Sequence, residues 1–332
     1  MRLKIILAIL ALSFTKYAFC QENIQSYHAP LVAKSLLLDI IHTDTKLIAV
    51  GERGHILLSG DGKQWSQASV PNLSTLTALD FVGNNGWAVG HDASILKSHD
   101  GGENWEVQYF APENERPFLD VLFFNENQGI AVGAYGVFYR TTNAGKTWLP
   151  EIHPEFLNLD DQEYLNEIKE EDEAFYLEEM ASILPHLNRL SQKGDRTYIA
   201  GEAGLLAFSD NYGVSWEKMN INYYGSFFDI VHTESDRIFA VGLRGSLFEY
   251  DVEEKRWNSL KSGTTSSLNS IISIDSATSL VVGNNGAQVT IGPQQVSFIK
   301  NKNGKSIMNG VFKDNVIITV TDIGIQQIQK DL

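Results

Sequence analysis

A short apolar run closing on glycine and followed about fifteen residues later by an aromatic recurs along the whole chain, and this recurrence constrains the fold more than any other feature. The copies read AVGERGHILLSGDGKQW (49–65), AVGHDASILKSHDGGENW (88–105), AVGAYGVFYRTTNAGKTW (131–148), IAGEAGLLAFSDNYGVSW (199–216), AVGLRGSLFEYDVEEKRW (240–257) and VVGNNGAQVTIGPQQVSF (281–298). A degenerate seventh, TVTDIGIQQIQ, spans 319–329. The anchors Gly51, Gly90, Gly133, Gly201, Gly242, Gly283 and Thr321 are separated by 39, 43, 68, 41, 41 and 38 residues. About a dozen residues before each anchor lies a further apolar segment: SLLLDI, STLTAL, PFLDVL, PHLNRL, SFFDIV, SLNSII and SIMNGV. Each unit therefore reads as four short strands, and four-stranded units of about 40 residues are propeller blades. The expectation is an all-β, seven-bladed β-propeller occupying residues 21–332.

Two segments fall outside the repeat. The long interval contains an insertion, 149–185; Leu165, Ile168, Phe175, Met180, Ile183 and, just past it, Leu187 recur at roughly helical spacing among acids. It reads as an acidic helical insertion docked as a lid between blades 3 and 4. The seventh unit ends after three strands, so the segment at about 24–33 is expected to supply a fourth and close blade 7. Ahead of it, MRLKIILAILALSFTKYAFCQE has two early cations, an apolar run of ten residues from Ile5 to Phe14 and small residues before Gln21. That pattern is a secretory signal peptide over 1–20, which predicts export, with the periplasm as destination. Lipidation at Cys20 is the alternative fate of the same leader.

The stretch between the third and fourth strands has its own signature. SHDGGENW (98–105), TTNAGKTW (141–148) and SDNYGVSW (209–216) share one spacing, and SGDGKQW (59–65) is a residue shorter. In such a turn Asp61, Asp100, Asn143 and Asn211 are expected to accept backbone N–H groups while Trp65, Trp105, Trp148 and Trp216 pack between blades. One carboxylate per blade cannot assemble the six to eight oxygens that Ca²⁺ takes, so the reading is structural, with no metal and no cofactor. The pattern resembles the Asp-box or BNR repeat. Whole units such as FVGNNGWAVGHDASILKSHDGGENW (81–105) resemble the photosystem II stability and assembly factor family of seven-bladed propellers. That resemblance implies a non-catalytic role in photosynthesis, holding reaction-centre assembly intermediates on the lumenal side. Similar secreted propellers occur in bacteria without photosystems.

Charge and motifs narrow the partners. Removing 1–20 takes away Arg2, Lys4 and Lys16 and moves the formal charge from −15 to −18, which makes nucleic acid a poor partner. Strand topology puts the G-x-x-G turns and the blade crossovers on one face and the Asp boxes on the other. The first face gathers Glu52, Arg53, His91, Asp92, Tyr135, Glu202, Arg244, Asn284, Asn285 and Asp322, a polar rim expected to bind a membrane or periplasmic protein complex. Arg53 and Arg244 share one repeat position and suit a carboxylate of a partner or of the insertion. The alternative is a glycan-directed protein, a sialidase-like glycosidase or lectin, because Asp boxes also occur in sialidases. A sialidase needs an arginine cluster, yet the eight arginines after residue 20 are dispersed and the F/Y-R-I-P element is absent. Asp39, Asp120 and Asp229 recur in the first strands of blades 1, 3 and 5, which suggests a structural or channel-lining role over a catalytic pair. An arginine–carboxylate cluster in the central pocket is the feature that would favour the hydrolase. No small-molecule substrate is expected.

Overall fold

The computed structural model describes residues 25–301 and 303–329, so the leader at 1–20 lies outside the described residues. Six four-stranded antiparallel sheets and one three-stranded sheet follow in chain order. Their innermost strands are Leu37–His42, Leu76–Val82, Phe118–Phe123, Leu187–Lys193, Phe227–His232, Leu268–Ser273 and Ile307–Lys313. Each packs on the next, and the last returns to the first, which closes the ring. The chain is a seven-bladed β-propeller.

The second strand of each blade is the AVG element. It is buried on both faces, as Leu47–Gly51, Gly129–Gly133 and Ser279–Gly283 show, because each blade is sandwiched between two neighbours. The residue after the anchor donates its backbone N–H to the carbonyl just before the first strand in all seven blades. These pairs are Glu52 to Leu36, His91 to Thr75, Ala134 to Pro117, Glu202 to His186, Leu243 to Ser226, Asn284 to Ser267 and Asp322 to Ser306. The next residue takes a left-handed φ of 53–57° at Arg53, Asp92, Tyr135, Ala203, Arg244 and Asn285. The third position is glycine in five of those six turns, because the crossover backbone passes against it and a side chain would strike, for example, the Thr264 carbonyl at Gly245.

The Asp boxes form one repeated hydrogen-bond pattern on the opposite face. Gly102, Gly145 and Gly213 donate to Ser98 Oγ, Thr141 Oγ1 and Ser209 Oγ at 2.9, 2.8 and 2.9 Å. Asn104, Thr147 and Ser215 donate backbone N–H groups to Asp100, Asn143 and Asn211 at 2.9, 3.0 and 3.0 Å. A second bond explains which residue each box uses. Asp100 Oδ2 accepts from Asn104 Nδ2, whereas Asn143 Nδ2 and Asn211 Nδ2 donate to the hydroxyls of Thr147 and Ser215. The donor therefore reverses with the residue four places on. In the shorter box, Asp61 Oδ1 accepts from Lys63 and Gln64. Trp105, Trp148 and Trp216 are buried and Trp65 half-buried, each packed towards the preceding blade or, for Trp216, against the insertion.

One expectation is revised. The segment at 24–33 does not form a strand over its described residues, and blade 7 has three strands among the described residues. Pro30 occupies a turn closed by Val32 N–H to Ala29 O, and a 3₁₀ turn follows at Val32–Lys34. Proline has no N–H to give a ladder, and the chain instead crosses from blade 1 to blade 7. Ser26 N–H donates to Val70 O, the Gln67 side chain bonds Ala29 and Tyr27, and Val32 joins the core between the two blades. The insertion is helical as its spacing implies, consisting of α1 (Leu159–Glu171) and α2 (Glu173–Ile183), with Asn158 and Asp172 as N-caps. Leu165, Tyr176, Met180 and Leu184 pack with Ile130, Phe138, Leu190 and Trp216. The helices thus fill the flank between blades 3 and 4, and none of their residues lines the central cavity.

Asp100→Ala removes the box acceptor without touching the other face. Its unfolding free energy should fall by about 1 kcal/mol in chemical denaturation, with the slope unchanged.

Candidate functional site

Two features have the geometry of sites: the rim of G-x-x-G turns and the axis of the ring. On the rim the side chains divide by repeat position. Those directly after the anchor serve their own turns. Glu52 Oε1 accepts from Leu36 N–H at 3.3 Å, Glu202 Oε2 from His186 N–H at 3.2 Å, and Asn284 Oδ1 from Asn269 Nδ2 at 3.0 Å. His91 is exposed. The left-handed position behaves differently, because its backbone turns the side chain away from the blade. Asp92 accepts from Ser74 Oγ at 2.6 Å, Asn285 donates to Ser266 Oγ at 3.3 Å, and Tyr135 stacks edge-on to His186 with Arg116 over its ring. Arg53 and Arg244 are exposed and make no side-chain hydrogen bond or ion pair among the described residues. They sit on blades 1 and 5, away from the insertion, so the acidic helices do not neutralise them.

At the axis, every first strand carries a register shift at its second or third residue. The residues after the shift are Asp39, Ala78, Asp120, Arg189, Asp229, Ser270 and Asn309, one from each blade; Arg189, Ser270 and Asn309 line the central cavity, and Ala78 packs between blades 2 and 3. Arg189 lies 3.3 Å from Asp39, 3.8 Å from Asp120 and 3.9 Å from Asp229. The second oxygens are committed to neighbouring blades. Asp39 accepts from Leu79 N–H at 3.2 Å, Asp120 from Leu190 at 2.6 Å and Asp229 from Ile271 at 2.8 Å. Asp80 continues the series by accepting from Phe123 N–H at 2.6 Å, and Asn309 Nδ2 closes it on Asp39. Burial pushes Asp120 up to about 7 and Asp80 up to about 6, and it also raises Asp229. Burial works against the charge of Arg189, but the three carboxylates outweigh it and hold the guanidinium charged.

Asp39, Asp120 and Asp229 were legible from the sequence as a recurring position; Arg189 and Asp80 were not. Aligning LNR with LLD and FLD shows Arg189 at the aspartate position, which is the signal that finds it. An arginine–carboxylate cluster therefore does occupy the axis, but its arrangement differs from a glycosidase centre. One arginine is satisfied by three carboxylates, and each carboxylate holds a backbone N–H of the adjoining blade. A cavity of about 260 Å³ adjoins it, lined by Leu38, Thr77, Leu119, Asn188, Phe228 and Met308 together with Arg189, Asn269, Ser270 and Asn309.

Fold and turns together define a seven-bladed Asp-box propeller with a polar rim on one face and a filled axis. Residues 22–163 match the family model described as photosynthesis system II assembly factor YCF48. Over that stretch the chain is similar to the photosystem II assembly factors, and as a whole it has their seven-bladed fold. It is 31% identical over 180 residues to a photosystem II assembly lipoprotein Ycf48 of Nostoc sp., covering 48% of this chain and 52% of that one. A protein of the same name from Picosynechococcus sp. is 30% identical over 106 residues, covering 29% of this chain and 31% of its own length. The matched segments thus span between a third and half of these relatives. Solved structures extend the likeness of fold. YCF48 from Cyanidioschyzon merolae superposes with a TM-score of 0.68 at 16% identity, over 93% of this chain and 99% of that one. YCF48 bound to D1 peptide gives 0.67 at 15% identity, over 93% and 98%.

Removing the single cation of the axis leaves three buried carboxylates facing one another. Arg189→Met should destabilise the propeller by about 3–5 kcal/mol at pH 8 and by less near pH 5, measured by denaturant unfolding at both values. The wild type has its own pH dependence. The folded state holds the protons of Asp120 and Asp80 more tightly than the unfolded chain does, so their contribution is complete below about pH 4 and is lost as pH rises through 6 to 7. Thermal midpoints should fall across that window in the wild type, and the fall should be shallower in Asp120→Asn.

Proposed function

We propose that this chain is a non-enzymatic, exported scaffold that binds a membrane or periplasmic protein complex during its assembly, through the rim of G-x-x-G turns. The observation that carries the reading is the pairing of a rim whose Arg53 and Arg244 are exposed and unpaired with a fold that superposes over the full length of an assembly factor bound to a peptide. A carboxylate-bearing segment of a membrane subunit is the ligand such free guanidinium groups suit. His91, Asp92, Tyr135, Glu202, Asn284 and Asn285 shape the surface between them. The Asp boxes belong to the opposite face and take no part.

The non-catalytic reading rests on how the axis is used. Its polar groups are consumed in joining blades, and a substrate carboxylate would have to displace one of three aspartates from Arg189. Export through the leader at 1–20 places the protein where such a complex is assembled. Among the described residues no helix is long and apolar enough to cross a membrane. Lipidation at Cys20 is the anchoring route that the lipoprotein names of the relatives suggest.

Affinity-tagged protein incubated with detergent-solubilised membranes of its host should retain an integral-membrane complex. The double reversal Arg53→Glu/Arg244→Glu should lower recovery by about ten-fold, while Asp100→Ala recovers as much as the wild type. Equal recovery by the double variant, or loss of binding in a folded Asp100→Ala protein, overturns the rim assignment. Turnover of fluorogenic sialosides or glucosides by the purified protein would instead establish the hydrolase reading.

A further inference from the structure

Three of the large apolar side chains left open to solvent, Tyr135, Ile152 and Leu177, are each 46–47% exposed and line a single groove. The groove has a volume of about 380 Å³ and runs between α2 and the G-x-x-G turn of blade 3. Its floor is apolar: Met180, Ala181 and Leu184 extend the α2 stripe begun by Leu177, and Val137 and Phe118 close it from the blade. Exposed apolar surface gathered in one concavity is the usual mark of a protein contact, not of scattered surface variation.

The banks supply the charge. Glu173 lies one turn before Leu177 on the same stripe and Glu178 borders it. On the other side the loop that carries Asn114 and Arg116 into the groove bears Glu113 and Glu115. All four glutamates are exposed, and none makes a side-chain hydrogen bond or ion pair among the described residues. The one cation present, Arg116, lies over the Tyr135 ring, 5.6 Å from its centre. The surrounding insertion adds to the field, with twelve acids against Lys169 over 151–180. A second copy of this chain would bring the same acidic surface to the contact and be repelled, as would an anionic lipid surface.

We propose that this groove docks a basic segment of a protein partner, one whose apolar side chains seat against Leu177, Ala181 and Tyr135 while flanking lysines or arginines meet the glutamates. This rests on the scaffold reading and adds a second contact, of opposite charge preference to Arg53 and Arg244. Two contacts of opposite sign on one face fix the orientation of a bound subunit, which a single charged patch cannot do.

The test is fluorescence anisotropy on the whole exported chain, with labelled, end-blocked peptides as probes. One probe is Leu-Phe-Leu flanked by two lysines on each side, one has glutamates in their place, and one keeps the lysines around Ser-Ser-Ser. The first should bind at least about ten-fold more tightly than either control, and added salt should weaken it. Ala181→Trp, which fills the groove, and Glu173→Lys/Glu178→Lys, which reverses one bank on the surface, should each weaken it by about ten-fold. Thermal melting establishes that both variants fold, and if the tryptophan variant does not, the surface pair alone decides. Equal binding of the three peptides, no binding at all, or unchanged affinity in the folded variants overturns the proposal. Membrane-complex capture run on the same variants separates the two readings: capture retained while the peptide fails removes the groove and leaves the scaffold, and capture absent in the wild type removes the scaffold.

Discussion

The rest of the structure depends on the ionic girdle at the axis. Seven wedge-shaped sheets have to meet along one line, where backbone groups of adjoining blades converge and water is scarce. Aspartates at the bulged position accept the N–H groups of the next blade from blade 1 to 2, 3 to 4 and 5 to 6, and Asp80, two residues past the bulge, does so from blade 2 to 3. Those carboxylates then repel one another, and Arg189 of blade 4 offsets the repulsion. The arrangement is only partly neutral, which is why burial holds protons on Asp120 and Asp80 so firmly. An axis built this way resists unfolding from any single blade, since each carboxylate is shared between two.

The seven blades, the turn chemistry and the acidic helices were readable because each has local causes: period-two apolar strands, glycine at a left-handed turn, and helical spacing among acids. The same locality explains the Asp-box variation, where Asp100 or Asn143 is chosen to suit a residue four places away. What escaped was set by distance. Arg189 sits in a strand segment, PHLNRL, that reads as merely apolar, and its meaning comes from Asp39, 150 residues earlier. The 24–33 segment was assigned from a missing strand, yet Pro30 and the core between blades 7 and 1 direct it into a turn.

The two faces of the disc have separate physical roles. On the Asp-box face, side chains are spent on their own turns and on packing against neighbours, so substitutions there act on stability. On the rim face Asp92, Asn285 and Tyr135 still engage neighbouring side chains, whereas Arg53 and Arg244 make no side-chain hydrogen bond or ion pair among the described residues. A propeller gains from this division, because surface chemistry can change on one rim without disturbing the closure of the ring. The acidic helices enlarge that same face, docked through Leu165 and Met180 while their charges remain in solvent.

The central claim is that partners are received on the rim of G-x-x-G turns and not on the Asp-box face. Hydrogen–deuterium exchange of the protein, free and in its purified complex, tests this most directly. The account predicts slowed exchange at the rim turns 51–54, 133–136 and 242–245, with the boxes at 59–65 and 98–105 unchanged. Protection confined to the boxes, with the rim turns exchanging as in the free protein, would contradict it.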